Sequence, residues 1–194
     1  MPHLVLASAS PARLRLLQGA GFDPEVIVSG VDEDLEIADT YDLVRVLAEQ
    51  KADAVAATVD DAIVIGCDSM FELDGHRRGK PASPEEALAW GRASRGRSGL
   101  LHTGHCVIDT ASGDRASGVG TTVVRFGHPT DEELVAYIAS GEPLAVAGGF
   151  TLDGRSSPFI DGVDGDPGNV IGLSLPLLRT LLAEIGVRIT DLWC

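Results

Sequence analysis

Lysine is almost absent from this chain. Of its 15 basic residues only Lys51 and Lys80 are lysines, and the other thirteen are arginines. A GC-rich coding bias replaces lysine wherever arginine serves equally well. Chance aside, the two survivors then mark positions that need a compact point charge on a thin stem rather than a wide planar fork. Positive charge as a whole is scarce, because 29 acidic residues leave a formal net charge of −14. That balance argues against a DNA or RNA backbone as the natural partner, since phosphate-backbone binding needs a basic stripe. It leaves room for a small nucleotide, because charges beyond about 8 Å are largely screened and a local cluster with a metal can decide binding.

Cysteine is also sparse. Cys67, Cys106 and Cys194 share no metal-like or redox-like spacing, which argues against a disulfide framework and fits a reducing cytoplasm. Cys67 and Cys106 read as small buried residues. No apolar run approaches the roughly 20 residues of a membrane helix. The short apolar stretch at Leu4–Ala9 has no Lys or Arg before it, so it does not read as a secretory signal. Repeats, low-complexity segments and a clear linker are all missing, and the expectation is one domain over residues 1–194.

What is present alternates between strand and helix patterns. His3–Ala7 reads as a buried strand. Ser10 is a plausible N-cap with Pro11 at the first helical position, giving a helix to about Gly19 with Leu14 and Leu17 inward. Glu25–Ser29 reads as a short strand and Tyr41–Val59 as a long helix. Ala62–Gly66 forms a strand that Ser69–Leu73 continues to an Asp74-Gly75 turn. Capping boxes open helices at Ser83 and at Thr130, the second with Leu134, Tyr137 and Ile138 on its apolar face. His102–Asp109 and Ala116–Phe126 suggest a hairpin around Ser112-Gly113-Asp114. A glycine-rich stretch, Gly141–Gly172, precedes a last helix from Leu175 to Ile185. Interleaving of this kind gives an α/β class with a mixed sheet and flanking helices.

Five places could carry chemistry. Leu6–Leu14 runs from strand to serine-rich turn to helix start, where unpaired N–H groups and the helix dipole favour phosphate. Ser8, Ser10 and Arg13 add donors there; the plain alternative is an ordinary capped helix. Val31–Glu36 carries four carboxylates, a hard oxygen site for Mg²⁺ or Mn²⁺ or simply a solvated loop. Lys51 shares one helical face with Val44, Leu47, Ala48 and Val55, so its charge must snorkel out or meet an anion. Asp68 sits just past an apolar strand, where a carboxylate holds a metal, takes a proton from water, or only shapes a turn. Arg77–Pro81, with Lys80, is the densest positive cluster, or an exposed hairpin tip. Together these suit phosphoryl chemistry on a small, highly charged substrate.

These same segments carry a resemblance. LASASPARLRLL, VDED, LAEQKA, GCDSM, GKP, TGH, AGGFTLDG, FIDGV and GLSLPLL appear in the order and spacing of the Maf proteins, with GCDSM and AGGFTLDG similar to actinobacterial members. The resemblance covers nearly the whole chain. It implies a fold like that of the inosine triphosphate pyrophosphatases, with two lobes around a cleft and often a homodimer. It implies a hydrolase acting on acid anhydrides, a nucleoside triphosphate pyrophosphatase that releases a monophosphate and pyrophosphate with a divalent cation (Mg²⁺ or Mn²⁺) in nucleotide-pool housecleaning. Carried over by position, Asp68 is the proton acceptor, and Glu33 and Asp68 hold the metal. Ser8, Arg13, Lys51 and Lys80 contact phosphates or position the metal site.

Departures from the pattern fall at the substrate-facing positions. One Maf subgroup has Arg, Thr and Gln there and prefers thymidine and uridine triphosphates; another has Trp, Gln and Glu and prefers 7-methyl-guanosine triphosphate. This chain has Ala12, Ser69 and Asp153, matching neither. Ser69 keeps a hydroxyl, while an ionised Asp153 only accepts hydrogen bonds where Gln both donates and accepts. Two other classes stay open: a nucleotide-binding regulatory module linked to septum formation, and a nucleotidyltransferase.

Overall fold

The computed structural model describes residues 3–194. Seven strands form one mixed sheet in the order β2-β1-β3-β5-β6-β7, with β4 paired to β3. The strands are β1 (His3–Ala7), β2 (Glu25–Val26), β3 (Ala62–Leu73), β4 (His76–Arg78), β5 (Ser98–Asp109), β6 (Arg115–Phe126) and β7 (Ile160–Asp164). Strand β1 pairs parallel with both β2 and β3, whereas β4 on β3 and β7 on β6 are antiparallel. The helices are α1 (Pro11–Gly19), α2 (Thr40–Ala56), α3 (Pro84–Ser94), α4 (Asp131–Ala139), α5 (Pro167–Ile171) and α6 (Leu175–Glu184). The α/β class and mixed sheet agree with the sequence reading. Among the described residues, no helix is long and apolar enough to cross a membrane.

The chain divides into two compact units. The first comprises the chain up to Asp68 with Thr103–Gly120 and Gly172–Cys194; the second comprises Ser69–His102 and Thr121–Ile171. In the first unit the two-residue period of the strands sorts side chains into two cores. Leu4 and Leu6 of β1, with Ile63, Ile65 and Cys67 of β3, pack against Leu17 of α1 and Leu178, Leu181 and Leu182 of α6. The alternate residues Val5, Ala7, Ala62 and Val64 pack against Ala48, Ala52 and Val55 of α2. The buried Cys67 and Cys106 belong one to each core, and burial pushes their thiols up to about 11 and about 12. Both are therefore inert fillers, while Cys194 is exposed.

The second unit has an aromatic centre. Phe71, Phe126 and Phe150 meet edge to face in all three pairings, with centroids 5.0–5.6 Å apart. Leu73, Leu101, Val124 and Val170 surround them. Helices α3 and α4 are linked by Arg92 and Arg95, which both pair with Asp131. The box at Thr130 and Glu133 forms fully. The one expected at Ser83 forms only half, because the Glu86 carboxylate accepts from the Ala82 N–H instead of returning to the cap residue.

Several boundaries differ from the sequence reading. Strand β2 stops at Val26 rather than Ser29, and α2 ends at Ala56 rather than Val59. Strand β5 begins at Ser98, four residues before His102. Gly99 is the reason this stretch does not look like a strand: a Cβ there would lie 2.3 Å from the Phe71 ring, so only glycine fits a core position. The glycine-rich stretch contains β7, α5 and three short 3₁₀ turns.

One close approach sets the first unit's geometry. A Cβ on Gly66 of β3 would lie 2.3 Å from the Ala48 carbonyl oxygen and 2.7 Å from the Ala52 nitrogen. Helix α2 therefore rests directly on the β3 backbone beside Lys51, one pleat away from Asp68. Because the obstacle is helix backbone, it cannot rotate aside. We expect Gly66→Ala to cost about 3 kcal/mol, at the upper end for overpacking, and to lower Tm by about 6–12 °C. Gly19→Ala, whose Cβ would meet nothing within 4 Å, should be neutral or stabilising by about 0.5 kcal/mol. Thermal unfolding of both checks the contrast; equal effects would contradict the packing account.

Candidate active site

Strand β1 ends at Ala7 and delivers Ser8 to the start of α1. The Ser8 hydroxyl oxygen accepts from the Ser10 N–H at 3.2 Å and from Arg13 Nη1 at 2.9 Å. Ser10 caps α1 by accepting from the Arg13 N–H at 3.4 Å, as its sequence position implies. Arg13, one turn in, is only 8% exposed, and its Nε donates to the Gly172 carbonyl at 2.7 Å. Both polar ends of this guanidinium are thus engaged, which holds it in one orientation.

Lys51 emerges from the apolar face of α2, and Val44, Leu47, Ala48 and Val55 beside it are all buried. Its side chain is 9% exposed, and it does not snorkel to water. Its ammonium lies 2.6 Å from Asp68 Oδ1 and 2.6 Å from Glu33 Oε1. Asp68 side chain is 10% exposed, whereas Glu33 is 59% exposed and reaches in from the loop between β2 and α2. Asp68 does not sit past a strand end: β3 runs on through Leu73, because Phe71–Leu73 continues as an extended partner for β4. The carboxylate projects on the α2 side of the pleat, two residues beyond Gly66.

Burial pushes the Asp68 carboxyl above the ordinary carboxylate range. The Lys51 ammonium, then the Arg13 guanidinium, pull it back down, and Glu33 adds a smaller upward push. A carboxylate raised in this way is a better proton acceptor near neutrality than an exposed one.

Five residues singled out in the sequence fall in the first unit: Ser8 pairs with Arg13, and Lys51 pairs with Glu33 and Asp68. Ser69, Lys80 and Asp153 belong to the second unit: Ser69 is half-buried in β3, and Lys80 and Asp153 are exposed in loops. Sequence reasoning missed the Gly172 carbonyl that orients Arg13. A backbone acceptor leaves no residue-type signal beyond glycine itself, here at φ +125°.

The donor set bears on metal binding. Two carboxylates converge on one cationic atom, an arrangement of hard oxygens that suits Mg²⁺ or Mn²⁺. Magnesium in nucleotide sites commonly takes only about one or two carboxylates, with water and phosphate oxygens completing its shell. Among the described residues, no group of three or more His, Cys, Asp or Glu side chains is arranged to hold a metal. Glu33 and Asp68 fit a cation shared with substrate rather than a closed protein cage.

Comparison with known proteins places the chain in a family. The family model described as Maf-like protein matches residues 3–185. A nucleoside triphosphate pyrophosphatase of Streptomyces coelicolor is 65% identical over 194 residues, covering 98% of this chain and 94% of that protein. Proteins of the same name from Salinispora tropica and Gloeothece citriformis are 53% and 47% identical, covering 98% and 97% of this chain and 87% and 97% of their own lengths.

The cluster has a measurable electrostatic consequence. In Lys51→Met the strongest downward pull on Asp68 is gone, so its folded-state pKa rises further above the unfolded value. A raised carboxyl contributes stability that is complete below the unfolded pKa and lost as pH rises through the folded pKa. We expect the stability deficit of Lys51→Met, in metal-free buffer, to be small near pH 4 and to grow to about 3–5 kcal/mol at pH 7. Urea unfolding across that range checks it. A deficit independent of pH would show that Lys51 and Asp68 are not coupled.

Proposed function

Because this chain belongs to the Maf-like protein family, we propose that it is a nucleoside triphosphate pyrophosphatase, hydrolysing a nucleotide to its monophosphate and pyrophosphate. The observation that carries this reading is the buried ammonium of Lys51 bridging Asp68 and Glu33, beside a helix start furnished with Ser8 and Arg13. The relatives, named nucleoside triphosphate pyrophosphatases, support the reaction class.

The chain's own residues have the following roles in this proposal. Asp68, in its ionised form, accepts a proton from water, and the water oxygen bonds to the α-phosphorus as the bond to the bridging oxygen breaks. Pyrophosphate leaves with that oxygen. Lys51 keeps Asp68 oriented and ionised in a buried setting. Arg13, held by Ser8 and Gly172, offers a fixed cation to the phosphates, and Lys80 contributes a second one. A divalent cation held by Glu33 and Asp68 would neutralise charge on the phosphate oxygens. Ser69 and Asp153 contact the base. An ionised carboxylate at position 153 alone would meet only the donor side of a thymine or uracil edge, leaving the acceptor side to the Ser69 hydroxyl.

The test is pyrophosphate release from a panel of canonical and modified triphosphates with Mg²⁺ or Mn²⁺. We expect release from a small set of nucleotides, loss on chelation, and a drop of about 10²–10⁴-fold in Asp68→Asn with folding intact. Release undiminished in Asp68→Asn would remove the proton-acceptor role. A folded wild-type protein that binds nucleotide without releasing pyrophosphate would instead be a regulatory module.

A further inference from the structure

His105 is fully buried and takes no part in the chemistry above. Its two ring nitrogens are nevertheless committed. Nε2 lies 2.8 Å from the Ser174 backbone nitrogen, and Nδ1 lies 2.9 Å from the Thr103 carbonyl oxygen. A backbone N–H can only donate and a carbonyl can only accept, so the ring is neutral with its proton on Nδ1. The imidazole thus works as a rigid spacer from β5 to the residue that caps α6.

What it fixes is the segment Gly172-Leu173-Ser174. Ser174 is the α6 N-cap, its hydroxyl accepting from the Leu177 N–H and its carbonyl from the Leu178 N–H. Leu173 is fully buried in the core shared by α1 and α6. Gly172, at φ +125°, turns its carbonyl to the Arg13 Nε. Arg13 in turn donates to the Ser8 hydroxyl. One continuous path runs from His105 through Ser174 and Gly172 to Arg13 and Ser8, and every residue on it is buried.

We propose that His105 is a positioning residue for Arg13, setting the guanidinium through the Gly172–Ser174 segment and so aligning the phosphate-binding end of the site. The proposal rests on the pyrophosphatase reading for its effect on turnover, but not for its effect on Arg13. Helix α6 has its own cap and core contacts, so His105 is not needed to form it. Its Nε2 accepts from the backbone N–H of Ser174, the α6 N-cap residue.

Two substitutions separate the two ends of the ring. His105→Asn places an amide near Nδ1, keeping the Thr103 contact, but has no atom where Nε2 stood. His105→Gln reaches the Nε2 position with a carbonyl oxygen that can accept from Ser174. The first readout is hydrogen exchange of the Arg13 Nε–H, assigned by its loss in Arg13→Ala. We expect protection to fall at least tenfold in H105N and to persist in H105Q. Unchanged protection in H105N would overturn the proposal. Where H105N does not fold, H105Q decides alone: loss of Arg13 protection with the acceptor retained would overturn it.

The second readout is kcat/KM for pyrophosphate release in a double-mutant cycle. H105N should cost about 10–100-fold in the Arg13 background, as misplacements remote from the chemistry can. In Arg13→Ala it should cost less than about twofold, because the group it positions is already gone. An equal cost in both backgrounds would mean that His105 acts on stability or on another group. A wild-type protein with no turnover would sink the pyrophosphatase reading, and the exchange experiment would still decide the role of His105.

Discussion

A lysine ammonium buried between two carboxylates is the constraint on which the first unit is organised. An unpaired charge at Lys51 would be strongly unfavourable, and so would an unpaired one at Asp68. Each is tolerable only because the other is 2.6 Å away, with Glu33 closing the cluster from the loop. That requirement propagates outward. Helix α2 must lie against β3 closely enough for Lys51 to reach Asp68, so Gly66 has no side chain and Ala48 and Ala52 have minimal ones. Gly104 serves the same helix, since a Cβ there would lie 2.0 Å from the Val44 carbonyl oxygen. The strands beneath alternate strictly between the two cores, which fixes which face Asp68 takes.

The same arrangement explains why a lysine persists at position 51. Among thirteen arginines, Lys51 stands where a point charge reaches two carboxylate oxygens from different elements at once. A planar guanidinium matches one carboxylate side by side, as Arg115 does with both oxygens of Asp53. Arg13 shows the complementary case. Its fork spans two different acceptors, the Ser8 hydroxyl and the Gly172 carbonyl, and is fixed by both. Point charge and fork are each used where their geometry fits.

How much of this was legible in sequence follows from where the signal resided. The β1 strand, the Ser10 cap and the apolar face of α2 announced themselves through period and capping chemistry, and the structure places them as read. Lysine scarcity pointed to Lys51, whereas Asp68 drew notice as a residue past a strand end and in fact lies within β3. Strand β7 and helix α5 were not legible, because a run rich in glycine reads as loop whether or not tertiary pairing recruits it into a sheet. The early part of β5 was hidden by Gly99, a residue that disfavours strands except where another side chain needs its space. In the site, side chains were legible and backbone was not. The Gly172 carbonyl and the Ser174 N–H have no residue-type signature, so neither the anchor of Arg13 nor the function of His105 could be read before the fold was known.

The central claim is that the site requires a point charge between Asp68 and Glu33, and not merely a positive one. Lys51→Arg tests it most directly, because it keeps the charge and changes only its shape. Measured as pyrophosphate release by folded protein, the account predicts a loss of at least about tenfold, since a guanidinium cannot occupy the same point between two carboxylates from separate elements. Turnover at the wild-type rate in a folded Lys51→Arg protein would contradict it, and the pairing of Lys51 with Asp68 and Glu33 would then be incidental to the chemistry.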